Sequence, residues 1–331
     1  MSIQNLSLGS SALNGNTGSY NVALGDFAMA TGNSSNYNTA VGTNALYLND
    51  TTGATDETLG YNTAIGAGTM CNNSGTRCNA VGSSALQFNT GTDNCGFGLQ
   101  TLWGGGSDPS APPGASGGNN VALGNYSGLM NTTGESNVYV GTNSGYNGIT
   151  GSNNTAVGGN ALKNNTAGES HVAVGYGALE RTTGSYNTAV GTGACMGDPS
   201  APIGSFTGSN NTSIGYKAHD HNTTGNENTA LGYAAAASGE NGSENVCVGA
   251  LAGWSGTTAG SNTVVGWKAL YQNETSSYNT AIGLTALYSN TAASNVAVGA
   301  GSLYTNTTGN LNTSVGTNAL YNNDVSTNNT A

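Results

Sequence analysis

The sequence predicts an all-β fold, a parallel β-solenoid of about eighteen coils, on three observations. An Asn-x-small-aliphatic-Gly pentapeptide recurs eighteen times, its closing glycine running from Gly9 to Gly316. Successive marker glycines lie 16 or 17 residues apart in fourteen of seventeen intervals, and a fixed short period is the mark of stacked repeats. No window carries the periodicity of an amphipathic helix of useful length. Length alone would suggest about two globular domains. The repeat overrides that prior and predicts one elongated body over 1–320, followed by a polar C-terminal tail at 321–331.

Each element can be read from the unit "NTAVGTNALY" at 38–47, nearly repeated as "NTSVGTNALY" at 312–321. Thr39-Ala40-Val41 alternates at period two and predicts a short strand. Ala-Leu after the glycine, as in Ala45-Leu46, Ala178-Leu179 and Ala269-Leu270, predicts a second strand. A Thr-Thr-Gly turn closes the unit, as at Gly134 and Gly225, where glycine is expected to supply the positive φ that a tight corner needs. Such coils stack by parallel ladders about 4.8 Å apart, so eighteen would span roughly 85 Å. Asn stands four residues before the marker in sixteen of the eighteen copies, replaced only by Cys78 and His171. Two readings fit this column, an axial amide ladder and a glycan-binding strip, and the ladder is favoured.

Composition bounds the function. Each coil offers two or three sizeable apolar residues, while glycine takes 54 of 331 positions. A solenoid with so thin a core struggles against chain entropy, and sharing one core among several chains resolves this. A charged fraction of 6% suits strands that face partner chains. Five basic residues against sixteen acidic ones, a net charge of −11, leave no stripe to neutralise phosphates, which argues against nucleic-acid binding. The chain enters its first repeat at Asn5 with neither a signal peptide nor a bilayer-spanning run. If the chain is complete, a virion-surface or extracellular location reached by assembly or lysis is expected; if it is an excised piece, its address and anchor lie elsewhere. The five cysteines at 71, 78, 95, 195 and 247 contain no CxxC pair and read as small buried hydrophobes. Sequons such as Asn131-Thr132-Thr133 matter only on a secretory route.

The stretch "NVALGDFAMATGNSSNYNTAVG" at 21–42 resembles the head repeats of trimeric autotransporter adhesins, and the resemblance covers nearly the whole chain. It implies one coil of a left-handed parallel β-roll per unit, three chains packed around a hydrophobic axis, and adhesion as the activity. The adhesin head unit is shorter, near fourteen residues, and no stalk, neck or outer-membrane barrel is present. Similar "NTAVGxxAL" arrays also resemble segments of bacteriophage and algal-virus tail or surface fibres, which makes a viral fibre the leading context.

Three intervals of 24, 26 and 24 residues break the period, placing insertions at 49–60, 103–118 and 196–208. All fall in the turn after Ala-Leu, and two share the frame "SDPSAPPG" (107–114) and "GDPSAPIG" (197–204). Insertions of repeat proteins map to loops on one face, often the binding face, and in a trimer weak sites would add through avidity. The candidate receptor-binding residues, for a cell-surface glycan or protein, are Trp103, Asp108, Pro109, Asp198, Pro199 and Phe206. The competing readings are that the aromatics cover the coil edge and that Asp-Pro-Ser is turn chemistry.

His219-Asp220-His221 is the one histidine cluster. Residues i and i+2 of a strand share a face, so three chains would aim six imidazoles at an axial transition-metal ion at His219 and His221; a polar corner is the plainer reading, and no other cofactor is implied. Ser-His-Asp, P-loop and zincin patterns are lacking, so no enzyme is expected, although stacked carboxylates can mimic a glycosidase pair. Three functions remain: an adhesive trimeric fibre; a purely structural filament or spacer whose ends stack; and ice binding, disfavoured because the Thr column three residues before the marker is mixed with Val and reads as pointing inward.

Overall fold

The computed structural model describes residues 4–31, 35–48, 60–104, 116–197, 202, 204, 206–238 and 241–331. The chain forms two compact units, Met1–Glu169 and Ser170–Ala331. Both are parallel β-solenoids, with no helix among the described residues.

The first unit carries β1 (Leu6–Leu8), β2 (Val22–Leu24), β3 (Thr39–Val41), β4 (Thr63–Ile65), β5 (Asn79–Val81), β6 (Cys95–Phe97), β7 (Val121–Leu123), β8 (Val138–Val140) and β9 (Thr155–Val157). Each pairs in parallel with the next, residue on residue. The second unit carries β10 (Val172–Val174), β11 (Thr188–Val190), β12 (Thr212–Ile214), β13 (Thr229–Leu231), β14 (Val246–Val248), β15 (Thr263–Val265), β16 (Thr280–Ile282), β17 (Ser289–Asn290), β18 (Val296–Val298), β19 (Thr305–Asn306) and β20 (Thr313–Val315). Its three-residue strands form one parallel ladder, and β17 pairs separately with β19. The insertions leave this register intact: Thr39 pairs with Thr63, Cys95 with Val121 and Thr188 with Thr212. Residues 321–331, expected to be a tail, keep the coil path. Thr330 bridges to Thr313, and the Asn329 N–H donates to Asn312 Oδ1 at 2.9 Å.

One expected element is corrected. The Ala-Leu segment is not a strand but a run of tight turns in which every second residue is left-handed, as at Asn44 (φ 57°) and Leu46 (φ 50°). The Ala45 N–H closes the first turn on Gly42 O at 3.2 Å. Ala45 and Leu46 are both fully buried, which a strand with only one face on the coil interior does not allow, because neighbouring residues face opposite sides. A left-handed conformation costs roughly 1–2 kcal/mol at a non-glycine residue, whereas burying a leucine returns about 1.5–3 kcal/mol. The turns also bond from coil to coil, as Leu46 N to Thr69 O and Leu287 N to Ser302 O, both at 3.0 Å.

The core of each unit lies inside the coils, built from the alanine at the strand centre and the Ala-Leu pair. The marker glycine is demanded by the stacking: at Gly25, with φ 135°, a Cβ would lie 2.7 Å from the Gly42 carbonyl of the next coil. The turn glycines are demanded by the same close approach and not by the positive φ expected of them: Gly134 is not left-handed, and a Cβ there would lie 2.4 Å from the Gly151 carbonyl oxygen. In one layer the fill is rearranged. Tyr139 replaces the strand-centre alanine and is buried, and the leucine positions beside it are Gly128 and Gly145. A Cβ on Gly128 would come within 2.8 Å of the Tyr139 ring, and one on Gly145 would collide with it.

The asparagine column is a buried ladder. Asn62, Asn137 and Asn154 each donate a backbone N–H to the side-chain oxygen of the asparagine one coil earlier, at 2.9–3.0 Å. Their Nδ2 atoms donate to turn carbonyls such as Gly151 O, so burial removes them as a glycan strip. At His171 the ring Nδ1 takes over as acceptor, receiving the Asn187 N–H at 3.2 Å. A second buried column, legible in the sequence only as a polar turn, braces the corner: Asn131 accepts the Gly134 N–H at 2.9 Å and donates to its carbonyl at 3.0 Å.

Candidate functional site

Period-two alternation decides what each unit shows its surroundings. Strand-centre residues such as Ala40 and Ala189 point inward and are fully buried, while the residues on either side turn outward. The Thr and Val column three residues before the marker therefore faces out, correcting the expectation that it points inward. The aliphatic column before the marker faces out with it. In the first unit this places Ile65, Phe97, Val121 and Leu123 on the surface, and in the second Ile214, Leu231, Val265 and Ile282. Leu123 is 50% exposed and Leu231 43%. A continuous row of this kind is more than the scattered exposure of an ordinary surface.

Aromatic columns accompany the strand face. In the first unit Tyr20, Tyr37 and Tyr61 stand just before the ladder asparagine, their rings stacked 5.0 Å apart. The same column continues as the ion pair of Arg77 with Asp93 at 2.6 Å, where the guanidinium hydrogen bond holds the Asp93 carboxyl below its usual range. In the second unit Tyr176, Tyr216, Tyr233, Trp267 and Leu284 follow their marker glycines and are exposed. Lys268 Nζ sits 4.7 Å above the Trp267 ring and 5.1 Å from that of Tyr271. A further column runs through Trp254, Tyr271, Tyr288, Tyr304 and Tyr321 with centroids 4.8–5.6 Å apart. Neighbours cover the ring faces within that column, leaving edges and phenol oxygens for contact. These columns went unrecognised in the sequence because their members are a coil apart; the signal was tyrosine recurring at the repeat period.

The insertion-loop candidates divide. Asp108, Pro109, Asp198 and Pro199 lie outside the described residues. Trp103 is half-buried, donates Nε1–H to Gln87 Oε1 at 2.9 Å and meets the Phe88 ring edge-on at 5.4 Å. Phe206 is corrected as a contact residue: it is fully buried and bridges to Thr182, so it fills the coil interior and offers no face to a ligand.

The premise for an axial metal site is also corrected. His219 and His221 lie in the turn run rather than on a strand, with His219 left-handed at φ 56°. The His219 side chain is buried inside its own coil, whereas the His221 Nδ1 is engaged with Ala237 O at 3.0 Å. Between them Asp220 pairs with Lys217 at 3.4 Å. Burial pulls the His219 and His171 imidazoles down to about 4. No group of three or more His, Cys, Asp or Glu side chains placed to hold a metal occurs among the described residues.

All five cysteines are free. Cys78, Cys195 and Cys247 are the expected buried hydrophobes, and burial pushes the Cys78 thiol up to about 11 and the other two to about 12, which keeps them protonated and inert at neutral pH. Cys71 and Cys95 are only partly buried, because the column of Cys95 faces out. Among the described residues no helix is long and apolar enough to cross a membrane. Compared with protein-family models and with curated proteins, the chain matches none.

Proposed function

We propose that this chain is a subunit of a homotrimeric fibre of the adhesin type, most simply a viral tail or surface fibre that attaches to a glycan or protein on a host cell. One observation carries the reading: the strand face of each unit turns a row of Val, Ile and Leu outward, while the coil interior is already filled by alanine and leucine. Burying the exposed part of each half-exposed aliphatic side chain returns roughly 1 kcal/mol. Partner copies of the chain, carrying the same row, are the natural cover for it. Attachment is assigned to the insertions at 49–60, 103–118 and 196–208, which interrupt no strand pairing.

Light scattering at several concentrations tests assembly. A species near three times the chain mass of 32.7 kDa, independent of concentration, is expected. A monomer sinks the shared interface, and unlimited growth makes the chain a filament subunit. Deleting the insertions tests attachment separately: cell or glycan binding should fall while the native mass stays unchanged.

A further inference from the structure

In the second unit the leucine column breaks. Leu179, Leu270 and Leu287 fill the interior elsewhere, but between Leu179 and Leu270 the same position holds Cys195, His219, Ala236 and Gly253. The shrinkage leaves an internal cavity bordered by His219, Ala236, Gly253, Gly256 and Ala259, with about 20 Å³ open to the centre of a water molecule. Its walls are polar as well as apolar, since the ladder carboxamides of Asn228, Asn245 and Asn262 reach it.

Two polar features converge there. His219 Nδ1 is buried and has no hydrogen-bond partner within the protein. Gly256 occupies a position of the second asparagine column, where Asn222 accepts the N–H of Gly225 at 2.8 Å and Asn273 that of Ser276 at 3.2 Å. At Gly256 the carboxamide is missing, and Ala259, the residue it would serve, borders the cavity. Leaving a buried polar group unpaired costs about 1–3 kcal/mol, and a space of this size suits on the order of one or two water molecules.

We propose that this cavity is a structural water site, in which ordered water donates a hydrogen bond to His219 Nδ1 and takes over, at the Gly256 end, the role that Asn222 and Asn273 play in their own coils. The water is thus a replaceable part of the coil, standing where other repeats carry a side chain. Two substitutions address it differently. His219→Leu restores the usual core residue and fills the space. Gly256→Asn restores the carboxamide, and a Cβ there has ordinary room, its nearest neighbours lying 3.6–3.8 Å away.

A crystal structure of the full chain is the direct test, with water density expected within hydrogen-bonding distance of His219 Nδ1. Magnetic relaxation dispersion should show at least one long-lived water fewer in both variants than in the parent, and Gly256→Asn should raise Tm by about 2 °C. An empty cavity that takes up xenon under pressure would overturn the proposal, as would relaxation profiles unchanged in both variants. Stoichiometric silver(I) binding, lost in His219→Leu and in Cys247→Ala, would overturn it in favour of a soft-metal site.

Discussion

The side-chain oxygen of Asn228 accepts the backbone N–H of Asn245, one coil further on, at 2.9 Å, while its Nδ2 donates to the Gly242 carbonyl at 2.8 Å. One buried carboxamide thus ties two coils to a turn, satisfying a donor and an acceptor that water does not reach. Asn228→Ala leaves both unpaired and is expected to cost about 2–4 kcal/mol. Thermal melts should show a fall in Tm of roughly 5–15 °C. Thr317→Ala, at an exposed position without a left-handed backbone, serves as the control and should change little. Equal effects at the two positions would deny the ladder its role.

The Tyr139 layer makes a coupled prediction. Gly145→Ala drives a methyl group into the Tyr139 ring at a residue whose φ of 59° already disfavours a side chain, and it should destabilise by more than about 2 kcal/mol. Tyr139→Ala opens a cavity and should cost roughly 3–5 kcal/mol, as aromatic truncations do. Combined, the two changes should cost at least about 1 kcal/mol less than their sum, because the tyrosine that the methyl group strikes is gone. Denaturant melts of the four proteins measure this, and strict additivity would show that the glycines do not answer to the tyrosine.

Acid should weaken the second unit through its histidines. His171 and His219 have folded-state values near 4 because burial disfavours the imidazolium, against about 6.5 in an unfolded chain. The unfolded state therefore binds protons that the folded state refuses. Stability is complete above about pH 6.5, falls as pH drops toward 4 and levels off below it. Each histidine accounts for about 3 kcal/mol of that loss. Urea midpoints at pH 7.5 and 4.5 should differ less for His219→Leu than for the parent. An identical difference would mean that His219 is not held neutral by burial.

The repeat in the sequence was enough to place all eighteen three-residue strands and the parallel stacking, because Asn-x-Ala-Val-Gly is both strand pattern and corner. The second half of the coil was misread, since Ala45-Leu46 looks apolar enough for a strand. The telling sign was two adjacent apolar residues, which a strand with only one face on the coil interior cannot bury together. Histidine spacing misled for a related reason: the i, i+2 argument at His219 and His221 holds only on a strand. Tyr271 and Tyr288 stack at 5.2 Å across 17 positions, a contact visible only when the chain is written out in repeat register. The fate of the asparagines was legible; that a second set, such as Asn131 and Asn273, braces the turns was not, because polar turn residues look alike until their hydrogen bonds are known.

The outward strand face supplies the most decisive prediction. Leu231 and Val265 lie on the solvent side of β13 and β15 and contribute nothing to their own coil's interior. In an isolated chain Leu231→Lys and Val265→Lys would be nearly neutral, within about 0.5 kcal/mol each, as surface changes usually are. In the proposed trimer each lysine must lose water against apolar neighbours, so the pair should dissociate it to single chains while strand content by circular dichroism stays the same. Alanine at both positions should weaken assembly only partly, since it removes apolar area without burying a charge. Sedimentation velocity separates these cases. If the double-lysine protein keeps the parent's mass, copies of this chain do not meet through the strand face.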